Sequence, residues 1–164
     1  MKNLLATFLL IFSFTCLYSQ TTNIYIVRHA EKDISDVNNK NPNLSEIGKQ
    51  RAKKLLTELK KVKFAAAYST PFNRTQQTLQ PIAEFNKIEI TNYNPADNKK
   101  LIEEILSKYS GKNVIIAGHS NTILNILEAF GAKKPFETVS EEDYSNLFHI
   151  IIKKNKVKLK SSKY

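Results

Sequence analysis

The sequence predicts an α/β fold: a three-layer αβα sandwich with a mostly parallel central sheet, helices on both faces and an antiparallel strand at the closing end. Three observations lead there. Short runs of β-branched and aromatic residues alternate with amphipathic stretches of helical length, as parallel strands joined by helical crossovers require. The chain of 164 residues is long enough for one core and too short for two ordinary ones. A pair of strand-like runs, the apolar Asn146–Ile152 and the lysine-rich Lys156–Lys160, closes it around Lys153–Asn155.

Each element follows in order. Lys2 precedes an apolar stretch from Leu4 to Leu17, and Ser19, Gln20, Thr21 and Thr22 restore polarity. A basic start, an apolar run and a polar exit describe a secretory signal peptide over residues 1–20. This predicts an exported protein, periplasmic or secreted; a lipid anchor on Cys16 is the weaker alternative, because Ser13-Phe14-Thr15 fits a lipoprotein signal poorly. Asn23–Val27 reads as a strand buried on both faces. Asp33–Asn43 is a loop rich in Asn, Asp, Ser and Pro. Ser45 is placed to cap a helix whose apolar positions are Ile47, Ala52, Leu55, Leu56 and Leu59. Phe64–Tyr68 is a second strand, broken by Ser69-Thr70-Pro71.

A second helix is expected over Asn73–Asn86, with Thr75, Thr78, Leu79, Ile82 and Phe85 at helical spacing and Pro81 interrupting its register. Lys87–Ile90 is a brief third strand, and Asn98–Tyr109 a third amphipathic helix. Val114–Ala117 is a fourth strand, leading through Gly118-His119-Ser120 into a fourth helix that ends near Phe130. No repeat or linker divides residues 21–164, which read as one domain.

Composition narrows the chemistry. With 41% hydrophobic residues, 4 Gly and 5 Pro, the chain is neither collagen-like nor wholly disordered. One cysteine excludes an intramolecular disulfide and a cysteine-rich zinc module. The net charge of +10 favours anionic partners. The lysines at 153, 154, 156, 158, 160 and 163 read as a charged edge that resists aggregation. They lack interleaved stacking residues, so no specific nucleic-acid binding is expected. No membrane span is expected once the signal is removed.

Three fragments carry the chemistry. Arg28-His29-Ala30-Glu31-Lys32 follows the first strand, Tyr68-Ser69-Thr70-Pro71-Phe72-Asn73-Arg74 the second, and Gly118-His119-Ser120-Asn121-Thr122 the fourth. Ligands of open α/β sheets bind beyond the carboxyl ends of the strands, so parallel strands would put all three on one rim. Two arginines and two histidines there make an anion site, because guanidinium groups match phosphate oxygens. A histidine in it is either a cationic donor or a neutral nucleophile toward phosphorus. Glu31 apart, no carboxylate and no third histidine accompanies His29 and His119 in these fragments, so no metal and no other cofactor is expected. Glu31 orients Arg28 or faces solvent, Lys32 meets substrate anions or is one more surface charge, and His149 is structural.

These fragments resemble the signatures of the histidine phosphatase superfamily, the phosphoglycerate mutase-like family. Arg28–Glu31 is similar to its R-H-G/A-E, and Leu44-Ser45-Glu46-Ile47-Gly48 to its L-T/S-x-x-G. Ser69–Thr78 is similar to S-S/T-x-x-x-R-x-x-Q-T, and Gly118-His119-Ser120 to G-H-S/G. Their order and separation agree over essentially the whole of residues 21–164. The resemblance implies a small, lid-less member in which His29 becomes phosphohistidine while Arg28, Arg74 and His119 bind and neutralise the phosphoryl group. It implies a metal-independent phosphatase acting on a phosphorylated small molecule or a phosphoprotein. The alternatives are a phosphoglycerate-mutase-type phosphotransferase and a catalytically weak phosphate-binding module. Family members often supply the leaving-group acid from the loop after the third strand, where Asp97 is the candidate. Asp97 equally fits as the cap of the helix that follows.

Overall fold

The computed structural model describes residues 20–164. Residues 1–19 of the expected signal peptide, Cys16 among them, lie outside the described residues. Six strands form one sheet: β1 (Thr22–Arg28), β2 (Phe64–Ser69), β3 (Ile90–Asn92), β4 (Asn113–Gly118), β5 (Asn146–Lys153) and β6 (Lys156–Lys163), in the order β3-β2-β4-β1-β5-β6. The pairings β1–β4, β2–β4 and β2–β3 are parallel, whereas β5 runs antiparallel to β1 and β6 antiparallel to β5. The closing strand is thus a hairpin. Its turn residues Lys154 and Asn155 have φ of 47° and 59°, the left-handed pair that matches strand twist.

Helices α1 (Glu46–Leu59) and α2 (Asn73–Asn86) cover one face of the sheet. Leu55, Leu59, Leu79 and Ile82 pack there against Val27, Phe64, Ala67, Ile115 and Ala117. Helices α3 (Asn98–Lys108) and α4 (Ile123–Ala129) cover the other, where Leu101, Ile105, Ile123 and Leu127 meet Ile24, Ile26, Val114 and Ile116. This is the predicted three-layer αβα sandwich. Ser45 caps α1 by accepting from the Gly48 N–H. Among the described residues no helix is long and apolar enough to cross a membrane.

Several expectations shift locally. β3 begins at Ile90 and not at Lys87, because Lys87 takes φ 55° to close α2 and the N–H of Ile88 goes back to the Ala83 carbonyl at 3.0 Å. α4 starts at Ile123, after a turn in which the N–H groups of Thr122 and Ile123 both donate to His119 O at 3.0 Å. α2 runs unbroken through Pro81. Ile47 and Phe85, expected on buried helix faces, are 64% and 58% exposed.

Candidate active site

Strand register decides which side chains meet. Arg28 at the end of β1 lies opposite Gly118 at the end of β4, so His29 and His119 leave the sheet side by side. The His29 N–H donates to Gly118 O at 2.9 Å, and the two imidazole centroids are 5.2 Å apart. On the far side of β4, Ser69 of β2 lies opposite Ala117, which brings Thr70 and the start of α2 to the same rim. The result is a cleft of about 660 Å³ lined by Arg28, His29, Arg74 and His119, with Lys32, Phe72, Ser120, Glu141 and Tyr144 at its margins.

Hydrogen bonding fixes the tautomer of each imidazole. Nδ1 of His29 lies 2.8 Å from Ala30 O. A carbonyl only accepts, so Nδ1 carries the proton and Nε2 of the neutral ring keeps its lone pair. Burial, with the positive surroundings of His119, Arg74 and Arg28, pushes His29 down to about 3, so the ring is neutral near pH 7. Nε2 of His119 lies 2.9 Å from Thr70 Oγ1, which lies 2.9 Å from Thr75 Oγ1. Thr75 Oγ1 in turn faces the carbonyls of Thr70 at 2.9 Å and Phe72 at 2.8 Å. Its hydroxyl must donate to a carbonyl, Thr70 then donates to Thr75, and Nε2–H of His119 donates to Thr70. Burial, then Arg74 and Arg28, push His119 down to about 4.

The arginines differ. Arg28 is buried, donates to Ser140 O at 2.9 Å and to Glu141 Oε2 at 2.5 Å, and stacks over Tyr144 with its guanidinium carbon 4.1 Å from the ring centroid. Arg74 has no carboxylate partner among the described residues, and its buried Nε, like that of Arg28, has no acceptor. Its guanidinium carbon sits 4.5 Å over the Phe72 ring. Burial and the charge of Arg28 lower its pKa. An anion beside a cation held this way would offset the cost of its burial.

Residues 24–94 match the sequence model of the histidine phosphatase superfamily (branch 1). Over that stretch the chain is similar to that superfamily. It is 33% identical over 97 residues to phosphoserine phosphatase 1 of Hydrogenobacter thermophilus, a match covering 52% of this chain and 46% of that enzyme, so it spans about half the length of its curated relative. Among solved structures, a mycobacterial glucosyl-3-phosphoglycerate phosphatase superposes with a TM-score of 0.67 over 88% of this chain and 99% of its own, at 11% identity. The protein histidine phosphatase SixA, complexed with tungstate, gives a TM-score of 0.68 over 86% and 96% of the two chains, at 13% identity. These structural likenesses establish the fold.

Of the superfamily signature residues, Arg28, His29, Arg74 and His119 share the one cleft. Asp97 does not join them. Its carboxylate accepts the Lys100 N–H at 3.0 Å as the N-cap of α3, and it borders a separate hollow with Tyr93 and Glu104. The cap, and not the leaving-group acid, accounts for its position. Glu31 neither orients Arg28 nor faces solvent: Arg51 of α1 grips it from Nε at 2.8 and 2.9 Å and from Nη2 at 2.6 Å. Burial would raise the Glu31 carboxyl, but Arg51 outweighs it and holds the group ionised. His149 hydrogen-bonds Asn23 Oδ1 at 2.9 Å and stacks on Tyr25, a structural role.

Sequence reasoning missed Glu141 and Tyr144, which reach the cleft from the irregular segment between α4 and β5. The available signal was the acidic run Glu141-Glu142-Asp143 in a strongly basic chain. Among the described residues no three His, Cys, Asp or Glu side chains gather as a metal site requires.

Proposed function

We propose that the chain is a metal-independent phosphatase that hydrolyses phosphomonoesters, or protein-borne phosphate, through a phosphohistidine on His29. The observation that carries this reading is the tautomer of His29: Nδ1 is committed to Ala30 O, and the neutral ring presents a nucleophilic Nε2 in a cleft with two arginines. Nε2 attacks phosphorus in line, the Nε2–P bond forms and the bond to the leaving oxygen breaks. Arg28, Arg74 and His119 hold the non-bridging oxygens and stabilise the charge that develops on them. Water then attacks phosphorus, releasing inorganic phosphate and the free imidazole.

Hydrolysis is favoured over return of the phosphoryl group to a second hydroxyl by the openness of the site. The Glu141 side chain on the cleft margin is 76% exposed, and water reaches the intermediate. The apolar stretch before β1 supports export of the enzyme to the periplasm or medium, with substrates drawn from phosphorylated small molecules or phosphoproteins.

A panel of phosphoesters assayed with and without EDTA, beside His29→Ala, tests the proposal. The expected result is EDTA-resistant turnover, lost in His29→Ala, with an acid-labile ³²P-phosphoenzyme trapped in the parent protein. Phosphate binding without turnover on any ester would overturn it in favour of a binding module. Transfer to an added phosphoglycerate in preference to water would mark a mutase.

A further inference from the structure

With Asp97 committed to the α3 cap, the cleft still needs a proton for the leaving group. Resting on the phosphatase reading above, the geometry points to Glu141 as the carboxyl that protonates the leaving oxygen and then takes a proton from the attacking water. Glu141 is the carboxylate among the residues lining the cleft. It is fixed from two sides: Ser120, next to His119, donates from Oγ to Oε1, and Arg28, next to His29, donates from Nη2 to Oε2 at 2.5 Å. Both tethers are neighbours of the two histidines, so the carboxyl is tied to the same point as the reacting phosphorus.

A carboxylate on Arg28 and a phosphate dianion drawn to Arg28 compete for the same guanidinium. Two like charges cannot share one cation closely without one of them taking up a proton or leaving. The groups facing Glu141 are Arg28 from β1, His29 and Lys32 just beyond it, and Ser120 after β4. The Ser120 hydrogen bond and these charges hold Glu141 ionised. Once the phosphoryl oxygens take over Arg28, that support is lost and a dianion replaces it, so Glu141 binds a proton as substrate binds. The Ser120 tether stays, and keeps the carboxyl beside the leaving atom.

The step then balances. The Nε2–P bond of His29 forms, the P–O bond to the leaving group breaks, and the Glu141 proton moves to that oxygen, giving a free alcohol and a Glu141 carboxylate. In the second half the carboxylate accepts a proton from water as its oxygen bonds to phosphorus and the Nε2–P bond breaks. Phosphate leaves, and Glu141 is again ionised over Arg28 after its proton returns to solvent.

Leaving-group dependence in Glu141→Gln tests this, since glutamine keeps the size of the side chain and one acceptor oxygen for the Ser120 tether, but has no acidic proton to give. Alkyl phosphates, whose alkoxides need a proton, should lose about 10²-fold or more in kcat/KM. p-Nitrophenyl phosphate, whose phenolate leaves unaided, should change by less than about threefold, on the same principle. Inorganic phosphate should bind the variant at least as tightly as the parent, with one proton fewer taken up near pH 7, read by calorimetry in buffers of different ionisation enthalpy. An equal loss on both substrate classes, or none on either, would overturn the assignment. A parent enzyme that turns over and a dead His29→Ala would leave the phosphatase reading standing in that case. Turnover surviving in His29→Ala would instead sink that reading.

Discussion

Thr70 Oγ1 lies 2.9 Å from Nε2 of His119, and the hydroxyl behind it, that of Thr75, is turned toward backbone carbonyls. The strand end that carries Thr70 therefore dictates which nitrogen of His119 bears the proton and leaves Nδ1 as the ring's free nitrogen. A phosphate dianion in the cleft favours a second proton on that ring, giving a cationic donor only when the anion is present. Thr70→Val keeps the shape and deletes the acceptor, stranding a partly buried N–H at a cost of about 1–3 kcal/mol. The expected outcome is a loss of roughly tenfold or more in kcat/KM, with the rate of phosphoenzyme formation reduced in parallel, measured by single-turnover quench.

Arg74 gives the opposite balance of stability and activity. Its guanidinium is partly buried with no carboxylate partner among the described residues, which costs stability. Arg74→Met should leave the thermal midpoint in phosphate-free buffer unchanged or higher. Catalysis should fall by about 10²–10³, the loss typical of one missing donor to transition-state oxygens. Inorganic phosphate should stabilise the parent, by about 2.7 kcal/mol at a hundred times its Kd, and the variant hardly at all. Thermal melts with and without phosphate report both effects.

The two imidazoles also set the acid limb of stability. Unfolded histidines take up protons below about pH 6.5, while the folded rings stay neutral until about 4 for His119 and about 3 for His29. The unfolded chain binds more protons throughout that window, so stability is fully present above pH 6.5 and falls as pH drops toward 3. Each ring contributes a slope of up to about 1.4 kcal/mol per pH unit while its two states differ. In phosphate-free buffer, His119→Gln should flatten the dependence of urea-unfolding stability between pH 6.5 and 4, with urea midpoints read at half-unit steps.

Particular residues explain what was legible in the sequence. Arg28, His29, Arg74 and His119 could be placed on one rim because each stands at or just beyond a strand end, and parallel pairing fixes which ends coincide. The helix of Ser45 and Gly48 was legible through its cap. Glu141 was not, because it meets Arg28 across 113 residues of sequence through an irregular segment with no periodicity to read. Asp97 lay open to two readings, cap or acid, and only the position of its carboxylate on the Lys100 N–H separates them. β3 slid because the chain reversal at Lys87 uses a left-handed residue that no local pattern of apolar residues announces.

Gly48 couples the stability of α1 to the placement of the nucleophile. A Cβ there would stand 2.1 Å from the carbonyl oxygen of Glu31, an atom that also accepts the Ser45 N–H at 2.9 Å. The obstacle is backbone, so Gly48→Ala must push α1 and the Arg28–Glu31 segment apart, at about 1–3 kcal/mol for overpacking. Asp97→Ala removes the α3 cap and should cost about 1 kcal/mol, a comparable loss. The two should part in activity. Displacing residues 28–31 moves His29 off line, so Gly48→Ala should lose tenfold or more in kcat per folded molecule, given how steeply reactivity depends on alignment. Asp97→Ala, which does not line the cleft, should keep kcat per folded molecule within about twofold, since its loss is confined to the cap. Active-site titration by phosphoenzyme trapping supplies the denominator, and a kcat lost in Asp97→Ala but kept in Gly48→Ala would reverse both assignments.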